Sequence, residues 1–301
     1  MALRHKLLYC LHMILLLCCC ASSAEEPESE SNLAFPDQGD VTAKMDIYTS
    51  NTLSSSKHPV LFFIHGGAWC EGDKSMLTAK QCDFFIEHGF VVVSSNYTLT
   101  PNNVHQNFSA QPTLRRALND LAHNLKWVRD NISRYNGDGD KIYLMGHSAG
   151  AHLAAMLAIA PQYCRQAGID RKNICSVCCL DGGPYMGPID LLNDPGLEII
   201  KACWINAIGS SQPEKWQSYI PGQFIEKDAT YPPFLLIYSS KTAHRYIPNQ
   251  ALATKLSTAQ CLVEQYQYPW EHNDFLMNLG ATDQLQFNKQ IVVFGLNHSR
   301  N

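Results

Sequence analysis

The sequence predicts a single α/β domain, with a mainly parallel sheet covered by helices on both faces and a possible small lid over residues 185–230. Two observations carry this. Short, nearly all-apolar runs alternate with segments whose apolar residues recur at helical spacing, as expected for strands buried on both faces and linked by amphipathic helices. Two glycine-bearing motifs, His65-Gly66-Gly67-Ala68-Trp69 and Gly146-His147-Ser148-Ala149-Gly150, each follow directly on such a run. They therefore fall beyond the carboxyl ends of strands, where sheets of this kind bind ligands.

Taken in order, Arg4 and Lys6 precede an apolar stretch from Leu7 to Cys20, and Ser22-Ser23-Ala24 offers small residues for cleavage. Residues 1–24 read as a signal peptide, because the apolar stretch is shorter than the roughly 20 residues a spanning helix needs. Secretion and a mature chain without a stable membrane span are the corresponding expectations. An uncleaved anchor, or acylation at Cys18, Cys19 or Cys20, is the alternative. Residues 25–40 are rich in Glu, Ser and Pro and read as a loose leader, leaving residues 41–301 as the folded domain.

Val60–Ile64 is the first clear strand. A helical pattern over Ser75–His88 and a strand at Phe90–Ser95 follow it. Leu114, Ala117, Leu118, Leu121, Leu125 and Val128 share one helix face. The alternation continues with Ile142–Met145, a helix after Ser148, Ile174–Leu180, Phe234–Tyr238, a helix over Gln250–Gln260, Cys261–Tyr268 and a last helix over Asp283–Phe294. Residues 185–230 break the rhythm with Trp204, Trp216 and other large apolar residues, as a substrate wall or as an ordinary helix with loops.

Composition narrows the partners. The net charge is −4 without long like-charge blocks, which excludes the basic footprint of a nucleic-acid binder. Eight cysteines remain after residue 24, and an even count in an exported chain favours some disulfides without specifying pairs. Cys178 and Cys179, inside an apolar strand, suit buried thiols instead. Sequons at Asn96, Asn107, Asn131 and Asn297 fit a glycoprotein. No Cys-x-x-Cys pair meets a second one, and Asp138-Gly139-Asp140 lacks the spacing of a calcium loop. Neither a metal nor a cofactor is expected.

Acyl transfer needs a nucleophile, a base, a group that orients the base, and donors for the developing oxyanion. Ser148, set between two glycines at a strand-to-helix turn, is the candidate nucleophile. The backbone N–H of Ala149 would supply one oxyanion donor, and the Gly66-Gly67-Ala68 segment, at Gly67 or Ala68, the second. His272, just after the last strand, is the candidate base. Phe234–Tyr238 leads into Ser239-Ser240-Lys241-Thr242-Ala243-His244-Arg245 with no carboxylate. Asp181, at the end of Ile174–Leu180, is therefore the candidate acid, with Asp190 second.

At these residues the chain resembles the α/β-hydrolase superfamily. It is most similar to hormone-sensitive-lipase-like and feruloyl-esterase-like carboxylesterases, which carry His-Gly-Gly-x-Trp and Gly-x-Ser-Ala-Gly. Gly72-Asp73-Lys74, Asn96-Tyr97 through Pro101, Pro232-Pro233-Phe234 and His272 through Gly280 extend the resemblance over most of residues 40–295. It implies cofactor-free hydrolysis of a small-molecule ester through an acyl-enzyme on Ser148. Relatives often carry an arginine where Thr98 stands, and most carry an Asp after strand seven where this chain has none. An amidase or arylformamidase would use the same parts. A non-catalytic binding protein on a hydrolase scaffold is the reading from another class.

Overall fold

The structure, a computed structural model, describes residues 28–33, 44–50, 53, 57–100, 113–187 and 197–299. The expected signal peptide, Asp190 and Asn107 lie outside the described residues. Eight strands form one sheet: β1 (Glu28–Leu33), β2 (Met45–Thr49), β3 (His58–Ile64), β4 (Val91–Ser95), β5 (Gly137–His147), β6 (Ile174–Leu180), β7 (Phe234–Ser239) and β8 (Val263–Tyr268), in the order β1-β2-β4-β3-β5-β6-β7-β8. β1 and β2 are antiparallel additions at one edge, and β4 through β8 pair parallel.

β1 falls within the segment read as a loose leader. Its pairing with β2 runs through main-chain groups, and an edge position of this kind demands no apolar pattern in the sequence. β2 alternates Met45 and Ile47 with Asp46 and Tyr48, and so lacks the continuous apolar run that marks the central strands.

Alternate residues of each central strand enter opposite cores. Val60, Phe62 and Ile64 of β3 join one, and Leu61 and Phe63 join the other. The first core is covered by α2 (Thr113–Asn131), α3 (Ala149–Ile159), α4 (Pro161–Ala167) and α5 (Glu198–Ile208); the second by α1 (Ala79–Glu87) and α8 (Leu285–His298). α6 (Ala243–Thr258) and the short α7 (Asp274–Met277) complete the helices of the described residues. None of those helices is long and apolar enough to cross a membrane.

α3 is buried on every side, which suits its alanines and glycine. Small side chains let a central helix sit close to the sheet without an amphipathic face. α6 begins seven residues before the expected Gln250 and contains Pro248 as its sixth residue, where the missing N–H forfeits one intrahelical bond.

No cysteine pair among the described residues stands at disulfide distance. All eight cysteines in the described residues are free thiols, dispersed between the cores: Cys82 and Cys178 in one, Cys164, Cys179 and Cys261 in the other. The Sγ atoms of Cys70 and Cys203 approach to 2.9 Å. Asn96, one of the sequon asparagines, is half-buried and bonded within the fold. Its Oδ1 accepts from the Lys74 N–H at 2.6 Å, and its Nδ2 donates to Asp73 Oδ2 at 2.8 Å. These bonds tie the Gly-Asp-Lys segment to the end of β4, and the buried Lys74–Asp46 ion pair at 2.9 Å reinforces them.

Candidate active site

Ser148 sits between β5 and α3 at φ 57° and ψ −120°, a conformation a residue with a Cβ adopts only when its surroundings impose it. The flanking glycines show how. A Cβ on Gly146 would stand 2.3 Å from the backbone of Gly150, and one on Gly150 would stand 2.0 Å from the carbonyl oxygen of Ile64. The turn closes only without those side chains, and it presents the serine hydroxyl above the sheet.

The hydroxyl donates to His272 Nε2 at 2.8 Å, and His272 Nδ1 donates to Asp181 Oδ2 at 2.6 Å. A buried carboxylate can only accept, so its bond fixes the imidazole tautomer and leaves Nε2 free to accept the serine proton. Asp181 Oδ1 accepts from the Ser239 N–H at 2.8 Å. Burial opposes ionisation of Asp181, but the His272 hydrogen bond, the Arg245 charge and the Ser239 N–H hold its pKa below the ordinary value. His272 is also shifted down, by burial and by the Arg245 charge acting against the Asp181 hydrogen bond. The imidazole is therefore neutral, and able to act as a base, at neutral pH.

The loop after β3 faces this serine. Gly67 (φ 105°), Ala68 (47°) and Trp69 (63°) all take left-handed backbone; at Gly67 a Cβ would strike the Glu71 carbonyl oxygen at 2.1 Å. Gly66 lies beside the elbow, where a Cβ would come within 3.1 Å of Ser148 Cβ. Ala68 and Ala149 border the same small cavity as Ser148. It encloses about 40 Å³, with Trp69, Pro184, Leu197 and Ile200 among its walls. Leu197 and Ile200 come from the 185–230 segment, whose described part is α5 and short turns. Trp204 of α5 packs on Trp69, with ring centroids 4.9 Å apart. A much larger groove of about 840 Å³ opens among Asp140, Ile174 and Pro232, at the other end of the strands. It holds none of the residues just described.

Of the residues singled out in the sequence, the structure thus brings together Ser148, His272, Asp181, Gly66, Ala68 and Ala149, with Gly67 shaping the loop. Three others were not foreseen. His147 donates through Nε2 to the His272 carbonyl oxygen at 3.0 Å, and its ring stacks on the His272 ring. His152 Nδ1 accepts from Trp69 Nε1 at 3.3 Å, and its Nε2 donates to the Tyr219 carbonyl oxygen at 2.7 Å. Arg245, whose side chain is 12% exposed, donates through Nη1 to the Asp181 carbonyl oxygen at 2.8 Å. No local pattern marks these positions, because every partner lies far away in the chain. Thr98 donates through its N–H and its Oγ1 to Asp120 Oδ2 at 2.9 and 2.5 Å.

The buried histidines make stability depend on pH. Burial pushes His65 and His152 down to about 4 and His147 to about 3. Between pH 6.5 and about 4 the unfolded chain binds protons there that the folded chain does not, so stability present above pH 6.5 is lost as the pH falls. Each such group contributes about 1.4 kcal/mol per pH unit. Thermal melts should show Tm falling steeply from pH 6.5 to 4.5; a flat Tm over that range would mean the three rings are solvated.

The BD-FAE family model matches residues 45–256. Esterase LipQ of Mycobacterium tuberculosis is 28% identical over 204 residues, which is 65% of this chain and 45% of LipQ. Esterase LipC of the same organism is 26% identical over 211 residues, 67% of this chain and 49% of LipC. The matched region is thus less than half the length of either relative. Among solved structures, Esterase B from Lactobacillus Rhamnosis superposes with a TM-score of 0.73 at 18% identity, covering 92% of this chain and 87% of that one. That likeness establishes the α/β-hydrolase fold.

Proposed function

The chain belongs to the BD-FAE family, and from that premise we propose that it is a serine hydrolase of carboxylic esters that works through an acyl-enzyme on Ser148. The observation that carries the reading is the continuous relay from the Ser148 hydroxyl through His272 to Asp181. The names of LipQ and LipC, both esterases, support the same class of reaction.

In the proposed reaction His272 takes the serine proton as Oγ attacks the ester carbonyl. The negative charge that develops on the carbonyl oxygen is met by the backbone N–H groups of Ala149 and of Ala68 or Gly67, each worth roughly 3–4 kcal/mol to the transition state. Protonated His272 then gives its proton to the departing alcohol. Water repeats the sequence and releases the acid. The small cavity favours acyl groups of a few carbons. Export after removal of residues 1–24 belongs to the same proposal and rests on the signal-like sequence.

A fluorophosphonate probe tests the reading. The folded protein should be labelled at Ser148 and Ser148→Ala should not, while acetyl and butyryl esters should be cleaved faster than palmitoyl esters. Absence of labelling on folded protein would leave the binding-protein reading in place. Faster release from an N-formyl amide than from any ester would favour the arylformamidase.

A further inference from the structure

We propose that Arg245 is a positioning residue of this site, a guanidinium clamp that allows the carboxylate of strand six to serve His272. The proposal rests on the hydrolase reading above and concerns how its acid is held. The segment that follows β7, from Ser240 to Arg245, holds no carboxylate. This chain carries a cation in that segment, in the first turn of α6, and its carboxylate is on the neighbouring strand.

Asp181 leaves β6 at φ 46°, a left-handed conformation unfavourable for a residue with a Cβ. Each of its polar groups is held. Its N–H donates to the Ile237 carbonyl oxygen of β7 at 2.8 Å. Its carboxylate accepts from Ser239 and His272. Its carbonyl oxygen accepts from Arg245 Nη1, and Arg245 Nε stands 3.5 Å from Oδ2, the oxygen that faces His272. One planar fork therefore addresses both the main chain and the carboxylate of Asp181, a geometry a lysine ammonium does not reproduce. Asn249 braces the clamp: its Nδ2 donates to the carbonyl oxygens of Arg245 and Gly182, at 2.8 and 3.0 Å.

The charge has a second consequence. Arg245 balances the buried Asp181 carboxylate at rest, and it opposes the positive charge that His272 acquires when it takes the serine proton. The clamp fixes the acid and keeps the base from being protonated prematurely. Among the described residues, the other titratable groups around the pair are His147 from β5, stacked on the imidazole, His244 beside Arg245 in α6, and Tyr185 after β6. Glu271, next to His272 in the chain, pairs with Lys241 at 2.5 Å.

The test compares Arg245→Met and Arg245→Lys with the wild type in three readouts: Tm, the pH dependence of fluorophosphonate labelling, and the pH titration of the His272 Nδ1 proton by NMR. With Met, labelling should slow by about 10- to 100-fold, and the acid limb, with the His272 titration, should move upward by about half to one pH unit. With Lys, the charge is kept and the fork is lost, so the limb should stay near wild type while labelling remains slowed. Wild-type labelling and titration in a folded Met variant would overturn the proposal. If the Met variant does not fold, the Lys variant decides: wild-type labelling there overturns the clamp, and slowed labelling with an unmoved limb supports it. If the wild type itself resists labelling, the hydrolase reading fails, while the His272 titration still reports whether Arg245 acts on the pair.

Discussion

Ser148→Ala is expected to lower ester turnover by about 10⁶-fold, since removing the nucleophile of a concerted triad costs about as much as removing the whole unit. The structure makes this a clean substitution. Ser148 already occupies its left-handed conformation with a Cβ, so alanine adds no backbone strain, and the N–H that pairs with the Leu180 carbonyl oxygen at 2.9 Å is kept. Only Oγ and its bond to His272 are lost. Tm should therefore stay close to wild type. The residual rate, from the N–H donors around the small cavity and from substrate binding, should exceed the uncatalysed rate by about 10³–10⁴. Turnover within tenfold of wild type would remove Ser148 from the chemistry and leave the relay an inherited arrangement.

Asp181→Asn should lower turnover by about 10⁴-fold, because a neutral amide neither stabilises the imidazolium nor enforces the tautomer in which Nδ1 carries the proton. It should also destabilise the fold, unlike the serine variant. The carboxylate of Asp181 is fully buried and faces Arg245. Removing its charge leaves a guanidinium unpaired in the interior, at about 3–5 kcal/mol. Kinetics and thermal melts on the same preparation check both effects, and activity should be measured well below Tm so that unfolding does not imitate loss of the acid. Near-wild-type turnover with a lowered Tm would assign Asp181 to structure and return the acid to Asp190.

The two effects separate the nucleophile from the acid because the two residues are held differently. Ser148 is fixed by a turn that its own glycine neighbours make possible. Asp181 is fixed by β7, by the loop that carries His272 and by α6. His272 is itself held through its carbonyl oxygen by His147, one residue from the nucleophile, so the elbow orients the base as well as presenting the serine.

The central strands and their helices were legible because burial on both faces leaves a continuous apolar run, and packing on one face leaves a helical period. The apolar pattern shortened β5, which extends back to Gly137 through a polar stretch, and started the helix at Gln250 where α6 in fact begins at Ala243. It missed β1, β2 and α4, short elements whose sequences carry little apolar signal. The place of each cysteine was illegible for a related reason: an even count says nothing about which core each thiol enters.

The sequence by itself determined the elbow around Ser148 and the glycine loop at Gly66–Ala68, since each is built from neighbouring residues whose lack of side chains permits one backbone path. It also placed a histidine after the last strand and carboxylate candidates after strand six. Only the tertiary structure decided that Asp181 meets His272 across 91 residues of chain, and that Arg245 reaches back across 64 residues to hold the Asp181 main chain. Parallel strands bring their carboxyl ends together whatever separates them in sequence. Which side chains then touch depends on strand order and on the register of β6 against β7, and no window of neighbouring residues records either.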